Sequence, residues 1–419
     1  MKIARRLYGS MLLFSTFAIF SLSSQLHAAG LVEPGGDNGA TALALSNPAE
    51  YAWRLFFFLN NQAKSSAAGV VDETKPFGIL DPGASVVWET WAMASGGDAS
   101  ESYPQNGARP VSWDELKRDK RTLTLDRNLE QLSVLSQSKR LKPLFFPTEP
   151  HDQEVRQNRF TYEFIISNEM YHRGGLEALL AKAQVNSSRS QINFPNGAKE
   201  VKAQWYPITE ADKPRYLWRE VKNGDGSATA YGLVALHIIT KDLPNWFWAD
   251  FGHVDCEVQK GACDPASLKK FLGDDFFQEE AKTVAVDPTT RGAAAPKGSN
   301  GVRSETVGTL WQNYILRGTQ TEFATGFGRA TILSNPVIEN GFQNSSCMSC
   351  HARASVGARK VGSAGVPSSL LNTLSPGDPT LGVPDAALFG AAPGQDSINY
   401  LQTDFIWSAP FRAQRKPGT

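Results

Sequence analysis

The chain has 419 residues, and its 42 Lys and Arg are balanced by 42 Asp and Glu, so the formal charge is zero. That balance, with no basic stripe interleaved with aromatics, excludes an electrostatic nucleic-acid binder and argues against a highly charged, strongly steered electron shuttle. Ten Trp and 23 Phe supply the bulk for one large core or two smaller ones.

Lys2, Arg5 and Arg6 open the chain, and an apolar stretch from Leu7 to Leu22 follows. Leu26-His27-Ala28 offers a small-residue cleavage position before Ala29, so residues 1–28 read as a secretory signal peptide. An uncleaved anchor is the alternative. Gly9, Ser10, Ser15 and Ser21 interrupt the stretch, which is at the short limit for a bilayer span. No second apolar run of roughly 18 residues follows, so the mature form is expected to lack a membrane span.

The body reads as mixed α and β. Asn47-Pro48-Ala49-Glu50 has the form of an N-cap with Pro at the first helical position, and predicts an aromatic helix running from Tyr51 to Ala63. Val86 to Met93 is strand or buried helix, which periodicity does not separate. Phe160 to Ser167 reads as a strand with Tyr162, Phe164 and Ile166 on one face. Leu176 to Ala183 reads as a short helix, and Val201 to Tyr206 as a strand. Tyr231 to Thr240 is apolar on nearly every position, so it is expected at the centre of a sheet. Cys256 and Cys263 are candidates for a local disulfide in an oxidising compartment; closing so short a loop contributes roughly 2–3 kcal/mol in the chain-entropy model. Pro, Gly, Ala and Ser dominate from Val286 to Val302, a linker or long loop.

Cys347-Met348-Ser349-Cys350-His351 is the specific signal. Cys-x-x-Cys-His is the attachment sequence for a c-type haem. On a helix, residues three apart share a face, so both sulfurs can meet the vinyl groups of one porphyrin. His351 then turns its imidazole to the iron as proximal ligand. One covalent haem c is expected, held by Cys347, Cys350 and His351. The competing readings are a bare redox Cys-x-x-Cys, or a zinc site shared with Cys256 and Cys263 that would leave His351 without a role. Ser345 or Ser346 can cap the helix. Arg353, Arg359 and Lys360 could pair with propionates, or stay solvated.

Counting ligands constrains the sixth iron position. No Met follows Met348 and no His follows His351. The C-terminal segment is therefore not a stand-alone class I cytochrome module. A distal Met or His must come from upstream: Met93, Met170, His151, His172, His237 or His253. His253 and His237 lead, His253 because Asp255 could orient its ring, His237 because it stands in the most apolar strand. For each, a structural histidine unrelated to iron is the competing reading; the alternative for the sixth position is an open site, or one bound by Lys, Tyr or Asn.

The segment Asn344 to His351 resembles the haem segment of exported bacterial monohaem c-type cytochromes, cytochrome c domain-containing proteins with a large N-terminal region. Glu200 to Trp205, Gly232 to Ile238 and Trp246 to Asp255 resemble further segments of that group, over roughly residues 160 to 355. The resemblance implies export to a periplasm, thioether links at Cys347 and Cys350, and His351 as proximal ligand. Cys256 departs from the group, where an Asn is expected.

The expected fold class is α+β: a Trp/Phe-rich, sheet-containing body over 29–285, a linker or loop over 286–303, and a helical and loop region over 304–419 carrying the haem motif. The expected function is periplasmic electron transfer with a redox partner protein or a small-molecule electron donor or acceptor. The alternative is a haem enzyme with an open distal site, acting on peroxide, oxygen or a small nitrogen compound.

Overall fold

The computed structural model describes residues 32–36, 40–94, 101–116, 126–127, 152–185, 192–222, 225–257, 262–263, 303–324, 326–328, 330–335, 338, 345–357, 360–361, 366–367, 380–390 and 398–417. The signal-peptide reading of 1–28, His151, the side chain of Cys263 and the stretch 286–302 lie outside them.

The chain is mixed α+β, built on an antiparallel sheet. Helices α1 (Ala40–Ser46) and α2 (Pro48–Leu59) come first. The strands are β1 (Ala92–Met93), β2 (Asp126–Arg127), β3 (Asp152–Gln157), β4 (Lys199–Pro207), β5 (Trp218–Lys222), β6 (Ala228–Thr240), β7 (Phe247–His253), β8 (Cys256–Glu257), β9 (Ala262–Cys263), β10 (Tyr314–Gln320), β11 (Ser355–Gly357), β12 (Lys360–Val361), β13 (Val366–Pro367) and β14 (Tyr400–Gln402). The remaining α-helices are α3 (Arg159–Ser167), α4 (Arg173–Val185), α5 (Cys347–His351) and α6 (Ser408–Arg412). Eight strands form the main sheet in the order β1-β3-β4-β6-β7-β10, with β2 also on β3 and β5 also on β6.

Helix α2 starts where the sequence predicts. Asn47 Oδ1 accepts from the Glu50 amide at 3.2 Å and Pro48 opens the helix, a cap contributing roughly 1 kcal/mol. The helix stops at Leu59, short of the expected Ala63, and the side-chain amides of Asn60 and Asn61 close its last carbonyls.

Alternation along the strands separates two faces. Val201 and Ala203 of β4, Leu236 and Ile238 of β6, Phe247, Ala249 and Phe251 of β7, and Tyr314 and Leu316 of β10 pack with α2 in one core. There Phe56 lies 4.4 Å from Phe251, centroid to centroid. Ile239 of β6 and Trp248 of β7 point the other way, into a second core with α4, α5 and α6. This second core joins residues on both sides of the 286–303 stretch, and β10 pairs directly with β7.

One expected strand is a helix. Phe160 to Ser167 belongs to α3, where Asn158 Oδ1 caps the Thr161 amide at 3.2 Å. The alternating Tyr162, Phe164 and Ile166 resemble a strand, but burial selects Thr161, Tyr162 and Ile165, the helical spacing. The ambiguous Val86 to Met93 splits into a short 3-10 turn (Val87–Thr90) and β1. Thr331 to Leu333 contributes only an isolated bridge, Leu333 to Ser346.

Candidate functional site

Helix α5 carries the Cys-x-x-Cys-His residues and is pinned from both ends. Ser346 Oγ caps it, accepting from the Ser349 amide at 3.1 Å. Gln320, the last residue of β10, donates from Nε2 to Ser346 Oγ at 2.6 Å and accepts the Met348 amide on Oε1 at 3.0 Å. The Leu333 carbonyl accepts from the Cys347 amide and from its thiol, each at 2.9 Å. Cys347 is buried, Cys350 is half-buried, and neither forms a disulfide.

His351 is held in one orientation. Its Nδ1 lies 2.8 Å from the Phe405 carbonyl. A carbonyl only accepts, so Nδ1 carries the proton and Nε2 is the basic nitrogen. Nε2 has no hydrogen-bond partner among the described residues. The indole of Trp248 meets the imidazole at 62°, centroids 4.8 Å apart. Burial drives the His351 pKa down to about 3; Phe405 opposes the shift, and the nearby Lys202 and His237 add to it. The ring is neutral at physiological pH, the form in which imidazole ligates a metal. Two thiols one helical turn apart, beside an oriented neutral imidazole, fit the donor set of a c-type haem.

The sheet face below α5 is polar. Lys202 of β4 pairs in register with His237 of β6, and His237 with Asp250 of β7. His237 Nε2 lies 3.0 Å from Asp250 Oδ1. Arg317 Nε donates to Asp250 Oδ2 at 3.1 Å and Asn335 Nδ2 to Oδ1 at 2.8 Å. Gly252 makes room for this: a Cβ there would stand 2.9 Å from Arg317 Cδ. Beyond it Glu200 is buried, bonded by Gln157 Nε2 at 2.7 Å and Ser408 Oγ at 3.0 Å, and burial raises its pKa.

Of the two leading distal candidates, only His237 shares this face with His351. His253 sits five residues beyond Trp248, on the opposite parity. It is fully buried, stacked on Tyr216 at 3.7 Å and edge-on to Tyr314. Its Nδ1 accepts from the Asp255 amide at 3.2 Å, so Nε2 donates to the Arg215 carbonyl at 3.1 Å. Both nitrogens are committed to backbone, and the Asp255 carboxylate is shared with Arg215 and Tyr216.

Met170 is buried in the second core. His172 spends Nδ1 on the Gly175 amide at 3.0 Å, and its buried Nε2 lacks a partner among the described residues. Met93 is half-buried in β1. Arg353 donates to the Ser349 carbonyl at 2.6 Å, within its own helix region. Arg359 and the Lys360 side chain lie outside the described residues.

The expected Cys256–Cys263 bridge is not present. Cys256 is a buried free thiol, although the register of β8 and β9 sets the two Cα atoms opposite one another. Cys256 packs in a cluster apart from Cys347, and among the described residues no group of three or more His, Cys, Asp or Glu could hold a bare ion.

A cavity of about 720 Å³ adjoins the motif, walled by Phe194, Phe323, Phe389, Tyr400 and Phe405. It reaches Ala352 and Phe405, but Cys347, Cys350 and His351 do not line it. It lies beside Phe405, whose carbonyl anchors His351, rather than at the thiols.

Gln320, Phe405 and Asp250 are absent from the sequence reading. Phe405 acts through its backbone, which no residue type signals. Gln320 and Asp250 are single polar residues, recognisable only once the strands are in register.

No protein-family model, curated protein or solved structure matches this chain.

Proposed function

We propose that this chain is an exported monohaem c-type cytochrome acting in electron transfer, with thioether links at Cys347 and Cys350 and His351 as proximal iron ligand. The observation that carries the reading is His351 itself, held through Nδ1 by the Phe405 carbonyl with a neutral Nε2 left to ligate. When bound, haem c supplies a one-electron Fe(III)/Fe(II) couple. The Phe405 carbonyl fixes the ring orientation and raises its basicity. Trp248 shields one side of the ring from water. His237, on the same face with its Nε2 3.0 Å from Asp250 Oδ1, is the candidate distal ligand. The electron partner is a redox protein or a small-molecule donor or acceptor.

The test is expression with haem-maturation machinery, followed by pyridine haemochrome analysis and optical spectra. Covalent haem with a sharp low-spin reduced α-band is the expected result. Absence of covalent haem in protein that matures a control cytochrome overturns the reading.

A second reading is favoured by the His237–Asp250–Arg317 cluster. A buried imidazole beside a buried guanidinium is an acid–base and charge-stabilising set. If the sixth position is open, it suits chemistry on peroxide, oxygen or a small nitrogen compound. A high-spin spectrum that shifts with cyanide or carbon monoxide would select this reading over the carrier.

A further inference from the structure

The carbonyl that orients His351 belongs to a strained turn. Asp404 and Phe405 are consecutive non-glycine residues in the left-handed region, at φ +48° and +69°. Such backbone persists only where its surroundings over-determine it. Trp246, at φ +59°, is a third such residue, so three of the five among the described residues lie in these two turns.

One ion pair joins them. Lys241 Nζ meets Asp404 Oδ1 at 2.6 Å, and both side chains are more than nine-tenths buried. Lys241 also donates to the Pro244 carbonyl at 2.9 Å and lies 5.8 Å from the Trp246 ring centroid. The second oxygen of Asp404 accepts the Phe194 amide at 2.7 Å. Phe405 is hemmed in by Trp248 at 6.0 Å and Phe323 at 6.3 Å, centroid to centroid. The next turn is closed by Thr403 Oγ1 donating to the Ile406 carbonyl at 2.7 Å.

We infer that Asp404, gripped by Lys241, is the positioning residue for His351: their buried ion pair holds the strained turn that aims the Phe405 carbonyl at Nδ1. The pair touches neither His351 nor the thiols. It acts by fixing where one backbone oxygen stands, some fifty residues after the motif. A buried ion pair used only for stability could sit anywhere in the second core. This one closes on the two residues whose φ angles are unfavourable and whose carbonyl is used. The inference rests on the haem reading for its functional meaning, but its structural content can be tested without haem.

The test compares Lys241→Met with Lys241→Arg in the full chain. Burial already raises the Asp404 carboxyl above the usual carboxylate range. It can therefore take up a proton when Lys241 is removed, which keeps the variant foldable. In haem-free protein, NMR reads solvent exchange of the His351 Nδ1 proton. Lys241→Met is expected to accelerate it by about tenfold, the scale of one weakened hydrogen bond, while Lys241→Arg stays near wild type. In haem-loaded protein, Lys241→Met is expected to raise the midpoint potential, because a weaker Nδ1 bond makes a poorer donor. Wild-type exchange and wild-type potential in folded Lys241→Met overturn the inference. If Lys241→Met does not fold, Asp404→Asn replaces it, since Asn still accepts the Phe194 amide; the same two outcomes decide. Absence of covalent haem in wild type would sink the electron-transfer reading, and the exchange measurement would still decide the role of Asp404.

Discussion

His237 and Asp250 face each other across β6 and β7, Nε2 to Oδ1 at 3.0 Å, on the side of the sheet where His351 lies. His253 is on the other side, with both ring nitrogens bonded to backbone. His237→Ala is therefore expected to convert a low-spin haem protein to a high-spin form that binds carbon monoxide. His253→Ala is expected to leave the spectrum unchanged and to lower stability. Optical spectra of the two variants check both; an altered spin state in His253→Ala alone would reverse the assignment.

Asp250 is the hub of that face. Arg317 is 5 % exposed and donates to its carboxylate, as Asn335 does. Asp250→Asn leaves a buried guanidinium poorly compensated, which costs roughly 3–5 kcal/mol. Urea unfolding should show a lower midpoint with little change in slope. The double replacement Asp250→Asn, Arg317→Met should recover much of the loss, because the buried cation leaves together with the carboxylate it meets.

Acid should act on His253. Burial, the dominant influence, lowers its pKa from 6.5 to about 4. Between these values the unfolded chain binds the proton and the folded one does not. Stability from this group is therefore full above pH 6.5 and falls as the pH drops to about 4, by about 3 kcal/mol in total. Glu200, whose pKa is raised by burial, acts in the opposite sense: its contribution is present at low pH and is lost as the pH rises. The difference between wild type and His253→Gln, measured by thermal unfolding from pH 7 to pH 4, isolates the histidine. It should shrink as the pH falls.

The first core tests the packing. Phe56 is fully buried against Phe251, Trp311 and Tyr314. Phe56→Ala should cost about 3–5 kcal/mol. Far-UV circular dichroism should read a lower Tm with the native signal retained at low temperature.

The sequence made part of this legible. Asn47-Pro48 and Ser346 announce their helices because a cap is a local device. The apolar run into Thr240 announces a central strand because every position is buried. Tyr162, Phe164 and Ile166 misled because an alternating trio also fits a helix with one exposed aromatic edge, and only the Asn158 cap resolves it. The parity of β7 was readable: Trp248 and Asp250 share a face that His253 does not. What no local pattern carries is Phe405 offering a carbonyl 54 residues from His351, or Gln320 clasping the first turn of α5. Those partners are set by which loop the assembled sheet brings alongside.

Gln320 stands at the end of β10, and β10 is an edge strand that joins β7 after most of the sheet has been synthesised. Through Gln320 that strand also holds the first turn of α5, where Cys347 is only 8 % exposed and bonded to the Leu333 carbonyl. If Cys347 takes a haem, its attachment is thus in a race with the zipping of one β-ladder. Slowing that ladder, for instance by Thr319→Pro, should lengthen the interval in which an enzyme can reach the sulfur. Hastening it would trap the thiol unmodified.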